Sequence, residues 1–252
     1  MKRIALVTGA TGSIGEEFVS RIEETEEVDE IWAVGRNREK LENLCKDHGK
    51  VRAVEADLAN DGIECIKKKL SSEEVDVKIL VNNAGVAYMG LFENMKPEEI
   101  DKFIKVNCTV PAELISVTLP YMNRGARIIN ISSASSFQPN PYLSLYSSSK
   151  VFLRNLSRAV NVELKAKGIT STAVCPGFVD TGMLPETKDG KKIRYAGLIS
   201  AKKVVKLALH DSKKGKDMSV PGFSAKYFRC YSKITPTSIV MKQWCLGVKK
   251  YL

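Results

Sequence analysis

Short apolar and β-branched runs recur along the chain at residues 4–7, 31–34, 51–56, 79–81, 127–131 and 169–175. Runs of this kind predict strands covered on both faces. Between them the apolar residues fall at helical spacing. Phe18, Val19 and Ile22 mark one helix; Ile100, Phe103, Ile104 and Val106 mark a second, which starts at Pro97 and carries Asn107 within it. Phe152, Leu153, Leu156, Val160 and Leu164 mark a third, from about Ser144 to Gly168. A short helix over 201–210 and a last strand over 218–220 complete the pattern. This alternation predicts an α/β fold, a doubly wound parallel sheet with helices on both faces. No internal repeat or linker interrupts it, so residues 1–252 are expected to form a single domain.

The first strand runs directly into Gly9, Ala10, Thr11, Gly12, Ser13, Ile14 and Gly15, and then into the first helix. Strand, glycine turn, helix is the order a Rossmann-type dinucleotide site requires. Glycines let the backbone approach closely, and the helix N-terminus offers unpaired N–H groups to a pyrophosphate. The second strand ends in Gly35, Arg36, Asn37 and Arg38, with no carboxylate before Glu39. A carboxylate here would favour NAD, whereas a guanidinium suits a 2′-phosphate, so Arg36 points to NADP. After the third strand come Asp57 and Leu58, and Asp57 either caps the next helix or contacts the adenine edge. Asn82, Asn83, Ala84 and Gly85 follow the fourth strand, Ser132 and Ser133 the fifth, and Pro176, Gly177, Phe178, Val179, Asp180 and Thr181 the sixth. All follow strands, and therefore share the sheet edge at which open parallel sheets bind ligands.

Within residues 132–150, SSASSFQPNPYLSLYSSSK, Tyr146 and Lys150 stand at i and i+4 on one face of the helix expected from Ser144. A phenol titrates near pH ~10 in water and carries protons poorly at neutral pH unless a positive charge favours its phenolate. Lys150 is placed to supply that charge.

TGATGSIG (8–15), NNAG (82–85), Asn107, Ser133, YSSSK (146–150) and PGFVDT (176–181), in that order, resemble the short-chain dehydrogenase/reductase family, over about residues 3–181. The resemblance implies an oxidoreductase that moves a hydride between NADP(H) and a carbonyl/alcohol pair. It implies Tyr146 as general acid/base, Lys150 as partner of the nicotinamide ribose, Ser133 as the group polarising the carbonyl, and Asn107 as holder of a water in a proton relay. It implies cofactor contacts from Gly9, Thr11, Ser13, Ile14, Gly15, Asn83, Ala84 and Gly85, adenine contacts from Asp57 and Leu58, and nicotinamide-side contacts from Pro176, Gly177, Val179 and Thr181. Ser13 stands where the family usually has its second glycine, giving the GxxGxxG spacing of the extended branch; length, NNAG and PGxxxT place the chain in the shorter branch. A non-catalytic NADPH sensor on the same fold is the alternative reading. The family also suggests a homodimer or homotetramer.

Charge and composition alter this picture only near the C-terminus. Residues 186–252 hold 16 Lys/Arg against four Asp/Glu, a net of +12, while the remainder has a net of −2. No basic motif with interleaved aromatics accompanies the excess, so nucleic acid is not an expected partner. Residues 182–199 read as a mobile lid, with Phe178, Met183, Leu184 and Tyr142 as apolar walls for a lipophilic substrate such as a steroid or acyl chain. Residues 227–252 carry Phe228, Tyr231, Ile234, Ile239, Val240, Trp244, Leu246 and Val248 among lysines, with Thr235-Pro236 as a helix start and Lys242 and Lys249 together opposite an apolar arc. Such a helix is expected to pack on the domain or another copy in preference to a membrane surface, and an acidic carrier protein is a further candidate partner. Six cysteines without a CxxC pair, and only His48 and His210, give no metal-ligand spacing. With neither a signal-peptide pattern nor an apolar stretch of about 18 residues, a cytoplasmic protein with free thiols is expected.

Overall fold

A computed structural model of the protein describes residues 1–182, 184, 187–188, 191–193 and 195–248. In chain order the elements are β1 (Lys2–Thr8), α1 (Ser13–Thr25), β2 (Glu30–Gly35), α2 (Arg38–Asp47), β3 (Val51–Glu55), α3 (Gly62–Ser72), β4 (Val75–Asn82), α4 (Pro97–Ile104), α5 (Val110–Thr118), β5 (Arg127–Ile131), α6 (Ser144–Glu163) and β6 (Thr170–Val174). There follow β7 (Val179–Asp180), β8 (Thr187–Lys188), β9 (Lys191–Lys192), β10 (Ile199–Ser200), α7 (Ala201–Lys213), β11 (Met218–Ser219), α8 (Phe223–Ile234) and α9 (Thr237–Val248).

Seven strands form one parallel sheet in the order β11-β6-β5-β4-β1-β2-β3. Strand order reverses between β1 and β4, which opens a crevice at their C-terminal ends. Alternate strand residues serve opposite layers. Ala5, Val7, Ile79, Val81 and Ile129 pack with Phe18, Val19 and Ile22 of α1 and Val204 and Val205 of α7. Ile4, Leu6, Leu80 and Ile128 pack with Ile66 and Leu70 of α3 and Leu114 and Ile115 of α5. Both faces of the central strands are thus covered, which is why Ile4–Val7 and Ile79–Val81 read as unbroken apolar runs. The doubly wound α/β sheet expected from the alternation is the fold observed.

Three local expectations change. The helix begun at Pro97 does not run through Asn107: α4 ends at Ile104, a π-helical turn spans Lys105–Thr109, and α5 resumes the α-helical path. Asp57 does not cap the following helix, whose N-cap is Asp61. Its carboxylate instead accepts from Ala59 N (3.0 Å) and Asn60 Nδ2 (2.7 Å), closing the turn that precedes α3. The region 182–199, read as aperiodic, contains an antiparallel β8–β9 pair and is bracketed by the parallel pair β7–β10. Strands of two residues are too short to leave a period. Met183 and Lys249 lie outside the described residues.

At the C-terminus α9 packs on the domain, with Val240 and Val248 buried. Trp244 donates from Nε1 to the carbonyl of Pro141 at 2.8 Å, tying α9 to the segment that enters α6. No described helix is long and apolar enough to cross a membrane.

Candidate active site

The glycine turn is shaped by two close approaches. Gly9 has a positive φ of 62°, and a Cβ on Gly15 would lie 2.1 Å from Gly9 O, so no larger residue fits at either position. The N-cap of α1 is Gly12 and has no side-chain cap, which leaves the first N–H groups of the helix at Ser13, Ile14 and Gly15 without a side-chain acceptor among the described residues. Such a cradle fits an anion. Gly35, at the end of β2, lies against Thr11, where an added Cβ would be 3.6 Å from Thr11 Oγ1. Arg36 beside it is exposed and has no ion pair among the described residues, whereas Arg38 is engaged with Glu42 at 2.8 Å.

Thr8 binds the glycine turn to the fourth strand. Its hydroxyl donates to Val81 O (3.1 Å) and accepts from Asn83 N and Ala84 N (3.0 Å each). Asn83 completes the link by donating from Nδ2 to Thr8 O (3.0 Å) and Gly9 O (3.1 Å). The side-chain amide of Asn83 thus orients the turn. In the sequence Thr8 opens the TGATGSIG motif with no role attached to it; a hydroxyl residue closing the apolar run Ile4–Val7 is the signal for this one.

The second half of the site is stitched together between β5 and α6. Ser132 Oγ donates to Lys150 O at 2.8 Å, and Lys150 Nζ donates to Ile131 O at 2.9 Å. Deeper in, Asn130 Nδ2 donates to Ser157 Oγ (3.0 Å) and Ser171 Oγ (3.2 Å), while Asn82 Nδ2 donates to Asn130 Oδ1 (2.8 Å). These bonds set the register of α6 on the sheet. Ser133 opens the 3-10 turn Ala134–Phe137 with its Oγ accepting from Ser135 N at 3.1 Å. Ala134 N donates to Pro176 O at 2.7 Å, which joins this turn to the loop after β6.

Lys150 Nζ lies 5.5 Å from the centroid of the Tyr146 ring. Burial pushes the Tyr146 phenol above its ordinary value, and the Ser133 hydroxyl acts in the opposite direction. Burial also depresses Lys150, from 10.5 to about 8; its titratable neighbours are the Cys108 and Cys175 thiols, both themselves pushed up by burial. With no carboxylate among the described residues to offset desolvation, the ammonium loses its proton more easily than a surface lysine.

Asn107 sits behind this pair, in the π-helical turn. Its Oδ1 accepts from Val86 N (2.9 Å) and its Nδ2 donates to Val86 O (2.8 Å) and Ser149 Oγ (3.3 Å). A Cβ on Gly85 would lie 3.2 Å from Asn107 Oδ1 and 3.5 Å from Lys150 Nζ, so both groups flank that glycine. The extra residue of a π-turn re-aims a helical side chain, a device frequent at functional sites.

A cavity of about 550 Å³ opens over these residues. Of the residues singled out in the sequence, Ile14, Asn83, Gly85, Ser133, Tyr146, Lys150, Pro176, Gly177, Val179 and Thr181 line it. Gly9, Thr11, Ser13, Gly15, Arg36, Asp57, Leu58 and Ala84 lie along the sheet edge outside it, and the Leu58 side chain belongs to the core beside α3. Phe178 and Leu184 form part of the wall as expected, but Tyr142 does not. Its backbone takes a left-handed φ of 66° and its carbonyl accepts from Gly90 N at 2.8 Å. Instead the outer wall includes Phe228 and Trp244 from α8 and α9, far along the chain and without a motif to flag them. Gln138 is also on the wall and buried. With Asn140 oriented to donate to Ser135 O and Gln138 O, Gln138 Nε2 donates to Asn140 at 3.3 Å, and Gln138 Oε1 has no partner among the described residues.

The family model for short chain dehydrogenases matches residues 3–192. The chain belongs to the short-chain dehydrogenase/reductase family. Nodulation protein G of Rhizobium sp. (strain N33) is 34% identical over 194 residues, covering 75% of this chain and 78% of that protein. The inactive hydroxysteroid dehydrogenase-like protein 1 of Homo sapiens is also 34% identical, over 191 residues, covering 72% of this chain and 57% of that longer protein. Among solved structures, a short-chain dehydrogenase from Sphingobium yanoikuyae in complex with NADPH superposes with a TM-score of 0.76 at 26% identity, covering 89% of this chain and 91% of that one.

Lys150 gives the site a pH signature. Its folded value of about 8 lies below the ordinary 10.5, so between these limits the unfolded chain binds more protons and stability rises with pH. Denaturant unfolding of the wild type and Lys150→Met at stepped pH is expected to show the wild type gaining on the variant from pH 8 to 10.5, whereas parallel curves contradict the assignment.

Proposed function

We propose that the protein is an NADP(H)-dependent oxidoreductase that interconverts a carbonyl and a secondary alcohol, acting on a lipophilic substrate. The observation that carries this reading is the convergence of Ser133, Tyr146 and Lys150 on one apolar cavity beside an uncapped helix N-terminus. The N–H groups of Ser13, Ile14 and Gly15 would hold the pyrophosphate, and Arg36 would meet the 2′-phosphate. The Thr8–Asn83 clamp would keep the glycine turn open to it, with Pro176, Gly177, Val179 and Thr181 along the nicotinamide half. When bound, the nicotinamide supplies or accepts the hydride.

The chain's own part is the proton. A half-buried phenol with a raised pKa is protonated at neutral pH and suited to give its proton to a carbonyl oxygen during reduction. Ser133 steadies the charge developing on that oxygen, and Lys150 favours the phenolate that Tyr146 leaves behind. In the reverse direction Tyr146 is the base. Asn107, its amide committed to Val86, serves by fixing the chain after NNAG and the floor beneath Lys150.

Phe178, Leu184, Phe228 and Trp244 support a lipophilic substrate, such as a steroid or acyl chain. The unpartnered Gln138 Oε1 supports one that also carries a hydroxyl or amide donor, because a buried acceptor without a partner costs about 1–3 kcal/mol. Exposed Phe152 and Val162 on α6 support assembly into a dimer or tetramer through that helix. The second reading, an NADPH sensor without turnover, is favoured by the inactive human relative. It is disfavoured by Ser133, Tyr146 and Lys150 standing together.

Tyr146→Phe is expected to lower NADPH-dependent carbonyl reduction about 10²- to 10⁴-fold with NADPH affinity little changed, and unaltered turnover would exclude the mechanism. Arg36→Ala is expected to weaken NADPH roughly 10- to 100-fold and to leave NADH unaffected. Equal losses for both cofactors, measured by nucleotide fluorescence titration, rule out the 2′-phosphate role. In a panel of steroids, acyl thioesters and small ketones, turnover is expected with the bulky carbonyls, and best with those bearing a hydroxyl. Turnover confined to small polar ketones refutes the substrate class.

A further inference from the structure

An amphipathic helix on a globular protein ordinarily turns its apolar stripe inward. α8 carries a second stripe facing out. Phe223, Tyr227, Cys230 and Ile234 stand at i, i+4, i+7 and i+11 along one line of the helix. Phe223 is 86% exposed, Tyr227 56% and Ile234 84%, and Cys230 is exposed as well. Tyr227 is held by stacking on Tyr231 at 5.7 Å, so the stripe includes an ordered aromatic. The helix's inner side is already occupied: Ala225 is buried, and Ser224 and Phe228 line the cavity.

Charge decides what fits this stripe. Lys226 and Lys233 flank it, both exposed. Across residues 218–252 the sequence has six Lys/Arg and no acidic side chain. A second copy laid face to face would set these cations against their own kind with no carboxylate to meet them, at a cost rather than a gain. An anionic lipid surface meets both demands. Exposed Phe, Tyr and Ile enter the boundary between headgroups and acyl chains, and flanking lysines are drawn to the negative leaflet.

We propose that α8 is a membrane-surface contact, docking the protein reversibly on anionic bilayers through Phe223, Tyr227 and Ile234 with Lys226 and Lys233 at their side. The same helix forms a wall of the cavity through Ser224 and Phe228, so docking sets the cavity against the phase in which lipophilic compounds dissolve. This goes beyond the proposed reaction and does not require it.

The test is co-sedimentation of the full chain with phosphatidylcholine–phosphatidylserine vesicles and with phosphatidylcholine vesicles. The wild type is expected to bind the first and not the second, and to be released by salt. Lys226→Gln with Lys233→Gln is expected to weaken binding roughly fivefold per lysine. Phe223→Ser with Tyr227→Ser is expected to weaken it at least about tenfold at low salt, with mass in solution unchanged. Tyr146→Phe is expected to bind vesicles like the wild type, so that loss of the catalytic reading leaves this one standing. The proposal is overturned by absence of binding to phosphatidylserine vesicles, or by apolar variants that bind as the wild type does. A lower particle mass of those variants in light scattering would overturn it by showing that copies of the chain meet there. Retention on an immobilised acyl carrier protein without vesicle binding would overturn it in favour of an acidic protein partner.

Discussion

A buried ammonium group without a carboxylate holds the centre of this molecule. Lys150 donates to the carbonyl that ends β5, while the hydroxyl of the next residue, Ser132, takes the carbonyl of Lys150. Taking an ammonium out of water costs several kcal/mol, and a hydrogen bond to a charged group returns only about 1.5–3 kcal/mol. The deficit appears as the fall of its pKa to about 8. In exchange α6 is locked to the strand end at one register, which fixes Tyr146 one turn before Lys150 and Ser133 one residue after Ser132. A slip of α6 by one residue would break the paired Ser132 and Lys150 bonds together with the Asn130–Ser157 bond beneath them.

The parts of the site that could be read in the sequence are those whose geometry is local. Gly9 and Gly15 need a small residue because backbone meets backbone within a few positions, and Tyr146 and Lys150 share a face because they are one helical turn apart. The central strands were readable because burial on both faces leaves Ile4–Val7 and Ile79–Val81 without a polar interruption. Asn107 shows the limit. Its residues are helical by pattern, but the π-turn that re-aims the amide onto Val86 depends on a long-range pairing that periodicity does not carry. The role of Asp57 was undecided for the same reason, since a carboxylate after a strand serves a cap, a turn or a ligand equally well until the neighbouring backbone is placed.

The substrate end was illegible for a different reason. Phe228 and Trp244 come from helices beyond the 3–192 span that the family shares, and they reach the cavity only because α9 folds back to hydrogen-bond Pro141. That bond lands just ahead of α6, next to Tyr142 with its left-handed backbone. The cavity wall formed by Trp244 and the helix that bears Tyr146 are therefore mechanically joined, although about a hundred residues separate them in sequence. A change at Trp244 would act on the shape of the cavity and on the entry to α6 together.

The charge asymmetry follows the same division. Residues 1–185, which supply six of the seven strands of the sheet together with Ser133, Tyr146 and Lys150, are nearly neutral, and the excess of +12 sits in residues 186–252, from which Ala196, Ser224, Phe228 and Trp244 reach the cavity. If that excess served solubility alone, the apolar side chains among it would be expected to turn inward, as Val240 and Val248 do. On α8 they turn outward, and a helix needs no exposed Phe223 or Ile234 to stay folded when Ala225 already seats its inner side. Exposed apolar surface is unfavourable in water, and the clustered cations beside it, though well hydrated, repel one another. An anionic lipid surface relieves both at once, with the cavity opening beside the same helix.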